Sequence, residues 1–383
     1  MIPHDLLIVG AGPVGMALAL ALRGSGLDIA LVDARPRGAA RSDPRVLALA
    51  HGTRLTLQRL GAWDGLPVTP IRSIHVSQAS GFGRTRIEAA EHHLDALGYV
   101  VRAGDLATAL DERLRDAGIP VIEGRKVAHL AAGEDDVTVS LEGDGGQAVR
   151  ARLVACAEGG VQGGAADIDG RDYGQHAVIT LARPADPHHH LAFERFTPDG
   201  PLALLPCRED YAIVHTASPR RADRLLALDE REYMDEVEQR MAGRVRLVRV
   251  EPRLRFPLAL RYRRDPVGER VAWLGNAAQT LHPVAGQGFN LALRDVWALA
   301  TTLRERATGE DPGSATLLDR YRRARRLDRR ATIGATDSLV RLFSNDIGPL
   351  NALRGAGLLL LDACPPLRGA LARRMMFGAR AWP

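Results

Sequence analysis

The chain begins with two apolar runs that flank a glycine-rich loop and an apolar helix. Residues 5–9 (DLLIV) have the composition of a buried strand. The loop GAGPVG, residues 10–15, follows it and opens an alanine- and leucine-rich stretch that extends to residue 23. A second buried strand is predicted at residues 29–32, directly before Asp33. This order predicts a strand, loop, helix and strand that form one βαβ unit.

The glycines and the acid at these positions are typical of a dinucleotide site. Gly10 permits a tight turn, Gly12 lets backbone N–H groups approach a pyrophosphate, and Gly15 allows the helix to lie close to the strand. The helix N-terminus attracts the anion. Asp33, eighteen positions after Gly15, can accept hydrogen bonds from a ribose. The motif alone does not distinguish FAD from NAD.

Helical and β-type patterns continue through the middle of the chain. Apolar and basic residues at helical spacing predict a helix over residues 45–60, which Gly61 would end. An amphipathic helix is predicted at residues 105–117, ahead of a strand at 121–122. Three apolar runs separated by turn residues then predict a three-stranded antiparallel insert. These runs are residues 127–130, 137–141 and 149–155.

The second half of the chain predicts another sheet and a second glycine loop. Between residues 174 and 256 short β-like runs alternate with turns and with one helical stretch at 229–241. The apolar run 271–274 leads into the loop 275–290, and a helix is predicted at 291–304. Its N-terminus offers a second set of free N–H groups. Two such helix starts suit a long ligand with negative charge at two places, such as FAD.

Composition narrows the classes of function. The chain has 383 residues, of which 46% are hydrophobic and 25% charged, as in a folded protein of two domains or one large composite domain. The net charge is +5, but Lys126 is the only lysine and the arginines are spread along the sequence, so nucleic-acid binding is not predicted. The 3 cysteines lack disulfide or metal-ligand spacing, and no segment has the pattern of a membrane span or export signal. We therefore expect reduced thiols and a cytoplasmic protein.

Two conspicuous runs are assigned to the surface. His188, His189 and His190 are adjacent in one loop and cannot all point at one centre, so no metal site is predicted. The arginine-rich run 320–330 is expected on the solvated side of a helix. Contact of these arginines with acidic lipid headgroups or with a partner is the alternative.

Three longer motifs resemble a known family. They are GNAAQTLHPVAGQGFNLALRD (275–295), AFERFTPDGPLALLP (192–206) and TDSLVRLF (336–343). All are similar to motifs of the class A FAD-dependent monooxygenases, and within them of the ubiquinone-biosynthesis hydroxylases of the 2-polyprenyl-6-methoxyphenol hydroxylase type. The resemblance implies an α/β fold. In it a Rossmann-like FAD-binding domain, as in p-hydroxybenzoate hydroxylase, is interleaved with a β-sheet substrate domain and followed by C-terminal helices.

The resemblance also implies domains and a reaction. The segments are 1–72, 99–170 and 270–330 for the FAD-binding domain, 73–98 and 171–269 for the substrate domain, and 331–383 for the C-terminal helical segment. In the family NAD(P)H reduces FAD, O₂ adds at flavin C4a as a hydroperoxide, and one oxygen atom passes to an activated aromatic ring. The protein would supply orientation, exclusion of water and stabilisation of the reduced flavin.

Site residues follow from the same resemblance. Pro283 and Gly288 would stand at the catalytic centre, and His282 would either assist proton movement or only pack there. The residues that would bind FAD are Gly10, Gly12, Pro13, Val14, Gly15, Asp33, Arg45, Glu158, Gly275, Asn276, Pro283, Gly286, Gln287, Gly288, Phe289 and Asn290. No metal is implied.

Two positions depart from the family pattern. Asn276 stands where most class A members have aspartate, although the ubiquinone branch commonly has asparagine. Glu158 and Gly159 stand where the family has an Asp-Gly pair followed by serine and arginine. This second departure bears on how the chain handles NAD(P)H.

The implied substrate, a polyprenylated phenol, has a long apolar tail that needs cover. Residues 355–361 and 370–377 combine apolar residues with neighbouring arginines, so this segment is a candidate for that cover. The same segment is a candidate for peripheral attachment to the inner face of a membrane or to a ubiquinone-biosynthesis complex, and a helix pair that caps the core is the alternative. The rival functions are hydroxylation of a small soluble phenol and a non-catalytic, flavin-binding subunit of a biosynthetic complex.

Overall fold

The computed structural model of the chain describes residues 3–378 except 80, 144–147, 162, 165 and 345–347. In chain order, the described strands are β1 His4–Val9, β2 Ile29–Val32, β3 Val46–Ala50, β4 Thr69–Ile71, β5 Ser73–Gln78, β6 Arg84–Glu88, β7 Gly98–Arg102, β8 Val121–Ile122, β9 Val127–Ala132, β10 Val137–Leu141, β11 Ala148–Cys156, β12 Ile168–Pro184, β13 Leu191–Thr197, β14 Gly200–Cys207, β15 Asp210–Ala217, β16 Leu247–Val250, β17 Leu254–Arg263, β18 Val267–Gly268, β19 Val271–Trp273 and β20 Gln279–Thr280. The α-helices are α1 Pro13–Ala21, α2 His51–Arg59, α3 Ala103–Asp116, α4 Pro219–Ala227, α5 Glu230–Arg240, α6 Gln287–Arg304, α7 Ala315–Phe343, α8 Gly348–Ala363 and α9 Pro365–Phe377.

The first sheet is mostly parallel. Its strands follow the order β18-β19-β11-β1-β2-β8, and β1, β2, β8, β11 and β19 run parallel to their neighbours in that group. All four residues of β2 are buried, as expected for a parallel strand covered on both faces. The predicted antiparallel insert is present as β9, β10 and β11. Beyond that insert, β11 continues into the parallel sheet, so it belongs to both parts.

Three helices pack on this sheet and form the main core. α1 contacts both α3 and α6, and the core cluster includes Leu18 of α1, Leu110 of α3 and Leu299 of α6, each at most 1% exposed. The long helix α6 begins at Gln287, four residues earlier than the sequence predicts, because Gly286 caps it in a left-handed conformation with φ +59°. The early start brings the first turn of α6 into the second glycine loop.

The second sheet is largely antiparallel and has nine strands. Their order is β20-β17-β12-β15-β14-β13-β5-β6, and β16 pairs with β12. β5 is a parallel neighbour of β13 and comes from a distant part of the chain. One face of the sheet packs against α4 and α5, where Tyr233 and Val237 are fully buried. The predicted helix at 229–241 is confirmed as α5, which Asp229 caps through a reciprocal pair with Glu232.

The prediction of one helix over residues 45–60 is wrong in its first part. Residues 46–50 form β3, which pairs with β7 in a small three-stranded sheet together with β4, and only residues 51–59 are helical. The run VLALA is apolar throughout, and its own pattern suits either structure. Its pairing with a distant strand decides the outcome. A Cβ on Gly98 would lie 2.7 Å from the carbonyl oxygen of Leu49, so glycine is needed where these two strands pair.

The arginine run of α7 is also corrected. Arg325 and Arg329 are each 5% exposed and therefore lie inside the protein, while Arg326 and Arg330 are exposed. Helical spacing of four residues places both buried arginines on one side of α7. There Arg325 donates to Asp295 of α6 and Arg329 donates to Gln279 of β20. The solvated-face prediction holds only for the other arginines.

The C-terminal helices lie against the nine-stranded sheet. α8 contacts β6 and β5, and α9 contacts α2 and α8. In the described part of the chain, no helix is both long enough and apolar enough to span a membrane. The three cysteines are free thiols. The predicted fold class, with its Rossmann-like sheet, second sheet and C-terminal helices, is confirmed.

Candidate active site

One large cavity lies between the two main sheets and the C-terminal helices. Its volume is about 1620 Å³, which exceeds the roughly 300–1,000 Å³ of a typical pocket for one ligand. Residues of both glycine loops line it, and so do side chains of the nine-stranded sheet. Its size therefore suits a large cofactor together with a second ligand.

The first glycine loop requires glycine at two positions and leaves a third open. Gly10 has φ +105°, and a Cβ there would lie 2.6 Å from the Cβ of Glu158. A Cβ on Gly15 would lie 1.9 Å from the Gly10 carbonyl oxygen, so α1 passes too close to the loop for any side chain. At Gly12, the N-cap of α1, a Cβ would meet nothing within 4 Å. Gly12, Pro13 and Val14 line the cavity.

The second glycine loop meets the first. A Cβ on Gly275 would lie 3.2 Å from a methyl group of Val14, so the two loops are in contact. Gly286 approaches β3 closely, since a Cβ there would lie 2.9 Å from the Cβ of Ala48. Gly288, in the first turn of α6, has open space within 4 Å of its Cβ position. The structure thus brings the N-termini of α1 and α6 to one cavity.

Asn290 holds the second loop in place. Its Oδ1 accepts hydrogen bonds from the backbone N–H of Ala50 at 2.8 Å and from Thr53 Oγ1 at 2.7 Å. Its Nδ2 donates to the carbonyl oxygens of Ala48 at 2.9 Å and Gly286 at 2.7 Å. Because these bonds use the whole amide, the side chain ties the start of α6 to the junction between β3 and α2. The remaining predicted residues of this loop that line the cavity are Asn276, Pro283, Gln287 and Phe289.

Asp33 lies at the end of β2, as predicted, but it already has protein partners. Its Oδ2 accepts from the backbone N–H of Ala11 at 2.8 Å, and its Oδ1 accepts from the backbone N–H of Arg35 at 2.8 Å. Burial opposes ionisation, but hydrogen bonds from the Arg35 side chain and from these N–H groups outweigh it and hold the pKa of Asp33 below its usual value. Arg35, which is not among the predicted site residues, also lines the cavity.

Two further predicted residues lie at the same end of the cavity. Burial, followed by the charge of Asp33, raises the pKa of Glu158, which follows β11 and faces the first loop. Arg45 lines the cavity, and its Nη2 pairs with Asp43 Oδ2 at 2.5 Å. The pocket end near the first loop therefore carries both signs of charge.

Pro283 lines the cavity, whereas its neighbour His282 does not. His282 is 0% exposed, its Nδ1 accepts from the backbone N–H of Val284 at 3.1 Å, and its ring meets that of Tyr173 edge-on at 5.5 Å. Burial lowers the pKa of His282 to about 4, so the ring is neutral near pH 7. This geometry favours the packing role over proton movement.

The opposite wall of the cavity is largely apolar, and its strands carry one acid among the described residues. Ala192, Glu194 and Phe196 alternate along β13 and line the cavity. Oε1 of Glu194 is enclosed and has no hydrogen-bond partner among the described residues, and burial raises the pKa of this carboxyl to about 7. Glu194 lies within the motif at residues 192–206, but no function of this residue was predicted from sequence. The alternation of LAFERFT, which places an acid between two apolar residues of one face, is the signal for it.

The C-terminal helices complete the cavity. Leu358 and Leu361 of α8 line it, together with Leu371, Met375 and Met376 of α9. These residues lie within the segments that the sequence predicts as cover for an apolar substrate. The wall formed by α8 and α9 is thus built from long, flexible apolar side chains.

This combination of a parallel nucleotide-binding sheet, a second sheet and a shared cavity is that of the FAD-dependent monooxygenases with a p-hydroxybenzoate hydroxylase-like fold. The solved structure of p-nitrophenol 4-monooxygenase PnpA from Pseudomonas putida DLL-E4 has the same fold, with a TM-score of 0.78, 19% identity and 99% of each chain covered. The family model described as FAD binding domain matches residues 4–335. The chain therefore belongs to this family of FAD-dependent enzymes.

Curated relatives match nearly the whole chain. Ubiquinone hydroxylase UbiL of Rhodospirillum rubrum is 34% identical, over 97% of this chain and 89% of its own length. The 3-demethoxyubiquinol 3-hydroxylase of Escherichia coli is 31% identical, over 96% of both chains. The predicted membership of a family of FAD-dependent hydroxylases is confirmed.

Proposed function

We propose that this chain uses FAD, NAD(P)H and O₂ to hydroxylate the aromatic ring of a polyprenylated phenol in ubiquinone biosynthesis. The observation that carries the proposal is the meeting of both glycine loops at one cavity whose far wall is apolar. The names of the relatives supply the substrate class. A cavity of about 1620 Å³ gives room for the flavin and for a prenylated ring together.

The residues present fit FAD. Gly12 and Gly288 each expose backbone at a helix start where a side chain would project into free space, so an anionic group can approach both. In this proposal Gly12, Pro13 and Val14 hold the pyrophosphate, and the ribose shares Asp33 with Arg35. Gly10 and Gly15 act by allowing the turn. When bound, FAD supplies the redox chemistry and the activation of O₂.

At the other end, Pro283 and the first turn of α6 border the reacting ring. The partial positive charge of this helix start, worth about 0.3–2 kcal/mol, stabilises negative charge on the flavin pyrimidine. Gly286, Gln287 and Phe289 shape this end, and Asn290 positions it through the bonds described above. Gly275 and Asn276 would contact FAD at the point where the second glycine loop touches the first.

The prenyl tail would lie along the C-terminal wall. Leu358, Leu361, Leu371 and Met375 present apolar surface to the cavity, and burying one isoprenoid CH₂ there contributes about 0.8 kcal/mol. A small soluble phenol would leave this wall uncovered. The wall is therefore the structural reason to prefer a tailed substrate.

The proposal includes peripheral contact of α8 and α9 with an acidic membrane surface. Exposed leucines lie on both helices, among them Leu353 at 65% and Leu367 at 44%, and Arg373 and Arg374 of α9 are exposed as well. Such a surface favours headgroup contact. Sedimentation with phosphatidylglycerol vesicles tests it: a Leu359→Ser/Leu360→Ser variant should stay in solution, while Val248→Ser, an exposed apolar site on β16, should not change binding.

The decisive experiment compares two phenols with the purified, FAD-loaded protein. One is a 2-prenyl-6-methoxyphenol with a short isoprenoid chain, and the other is 2-methoxyphenol without the chain. We expect hydroxylated product, identified by mass spectrometry, only from the tailed substrate, with NAD(P)H oxidation coupled to it. The bare ring should give hydrogen peroxide instead.

Other outcomes would contradict the proposal. Full coupling with the bare ring would favour a hydroxylase of a small phenol. Tight FAD binding without product from either phenol would favour a non-catalytic subunit.

A further inference from the structure

Glu194 occupies an unusual place in the cavity wall. Its pairing partners on the neighbouring strands are Val76 of β5 and Ala203 of β14, both of which also line the cavity. Among the described residues of the nine-stranded sheet that line the cavity, Glu194 is the only acid. The carboxyl therefore stands in otherwise apolar surroundings on the side that would receive the substrate.

Among the described residues, no charged group neutralises the Glu194 carboxyl. His75 and Arg195 belong to the opposite face of the sheet, where Arg195 Nη1 donates to Ser77 Oγ at 3.2 Å. Arg354 of α8 packs over the ring of Phe343, 5.8 Å from its centroid. Burial without a counter-charge is the cause of the raised pKa of Glu194, about 7. Glu194 is only partly exposed, and an enclosed carboxylate oxygen without a hydrogen-bond partner destabilises a fold, so its presence points to a ligand.

The carboxyl also lies near the second glycine loop. Phe196 is two positions farther along the same face of β13, about 7 Å away at the usual strand rise. Phe196 packs in one cluster with Val284, the residue after Pro283, and Val76 packs against that cluster. Glu194 is therefore two residues along β13 from Phe196, which packs against the loop that borders the reacting ring.

We propose that Glu194 is a catalytic base that accepts the hydrogen bond of the substrate's ring hydroxyl and takes its proton during oxygen transfer. This inference rests on the proposed function. As the new carbon–oxygen bond forms, the O–H bond of the ring hydroxyl breaks, its electron pair moves toward the ring, and the proton goes to the Glu194 carboxylate. The carboxylic acid returns that proton to the same oxygen when the ring carbon loses its hydrogen as a proton to water. The oxidant is O₂, reduced by two electrons from NAD(P)H. Its O–O bond breaks as the carbon–oxygen bond forms, so that one oxygen atom enters the ring and the other leaves as water.

The test uses FAD-loaded wild type and the variants Glu194→Gln, Glu194→Asp and Glu209→Gln. Glu209 lies in the exposed turn between β14 and β15, so the Glu209→Gln substitution makes the same chemical change outside the cavity. The probes are a short-chain 2-prenyl-6-methoxyphenol and its methyl ether. Measurements are probe affinity by equilibrium dialysis, flavin reduction by NAD(P)H, and coupled hydroxylation as a function of pH.

Glu194→Gln should lower the hydroxylation rate by about 10²–10⁴-fold, as expected for loss of a general base, with flavin reduction unchanged. Wild type should lose hydroxylation as pH falls through about 7, because the carboxylate becomes protonated. Glu194→Asp should keep this acid limb, Glu194→Gln should lack it, and Glu209→Gln should match wild type. Wild type should bind the phenol about tenfold or more tightly than the ether, and Glu194→Gln should lose this preference.

Two results separate the possible failures. Wild type without product would overturn the proposed function itself. An active wild type whose Glu194→Gln variant retains both rate and acid limb would overturn only the role of Glu194. If the glutamine variant does not fold, Glu194→Asp decides, because loss of the acid limb at an unchanged rate contradicts the base.

Discussion

Replacing Arg325 by methionine tests the buried ion pairs between α6 and α7. Arg325 Nε donates to Asp295 Oδ1 and its Nη1 donates to Asp328 Oδ2, both at 2.7 Å. The three side chains are at most 7% exposed. Burial disfavours the charge of Arg325, but the charges of Asp295 and Asp328 outweigh burial and raise its pKa.

The expected loss of stability depends on which hydrogen bonds Asp295 and Asp328 would keep without Arg325. Without Arg325, Asp328 still accepts from Arg294 Nε at 2.8 Å. Among the described residues, the side-chain hydrogen bond that Asp295 retains is the one from the amide of Gln279 at 2.6 Å. Breaking a buried pair by removing one partner typically costs about 3–5 kcal/mol. We therefore expect Arg325→Met to lower the free energy of unfolding by about 3 kcal/mol or more, measured by urea denaturation with circular dichroism.

Two variants make the test specific. Arg326→Met makes the same substitution at the next, exposed position of α7 and should change stability by less than about 0.5 kcal/mol. Adding Asp295→Asn to Arg325→Met removes the uncompensated charge, so the double variant should regain about 2 kcal/mol over the single one. Equal effects at positions 325 and 326 would refute the reasoning.

Three other predictions follow from single positions. Gly12→Ala should leave the unfolding temperature of the FAD-free protein unchanged, because its Cβ meets open space. The same variant should lower FAD affinity in a fluorescence titration. Gly15→Ala should lower both the unfolding temperature and FAD affinity, since its Cβ would lie 1.9 Å from a carbonyl oxygen. The pKa of His282 falls to about 4 on folding, so the unfolded chain binds the extra proton below pH 6.5 and stability should drop by about 2 kcal/mol between pH 7.5 and 5; His282→Gln should remove this part of the loss in urea titrations. The pKa of Glu194 rises to about 7 on folding, so ionised Glu194 destabilises the folded protein increasingly as pH rises from 4.5 to 7. Glu194→Gln should therefore be more stable than wild type by up to about 3 kcal/mol at pH 8.5 and equal to it at pH 4. An unchanged difference across this range would contradict the burial of the carboxyl.

The first glycine loop could be predicted from sequence because its determinants are local. The tight turn, the close approach of α1 and the acid after β2 all lie within residues 5–33, where spacing alone constrains the geometry. The role of the second loop needed the family resemblance as well as its pattern. Its contact with the first loop, through Gly275 and Val14, depends on packing between distant segments.

Features that depend on remote partners escaped prediction. The run at 46–50 becomes a strand because β7 pairs with it, although its own pattern also suits a helix. Arg325 and Arg329 are buried because Asp295 of α6 and Gln279 of β20 lie opposite them. A charge run shows only its own residues, so the sequence could not reveal which arginines turn inward.

The order of strands in the parallel sheet has a consequence for the synthesis of the protein. β1 pairs with β11, and β11 in turn pairs with β19, which comes from the last third of the chain. A nascent polypeptide therefore cannot complete this sheet, or place α6 against α1, until most of it has left the ribosome. Such long-range pairings slow folding. Flavin capture is consequently a late event in maturation, and the apolar inner surface must be protected until then.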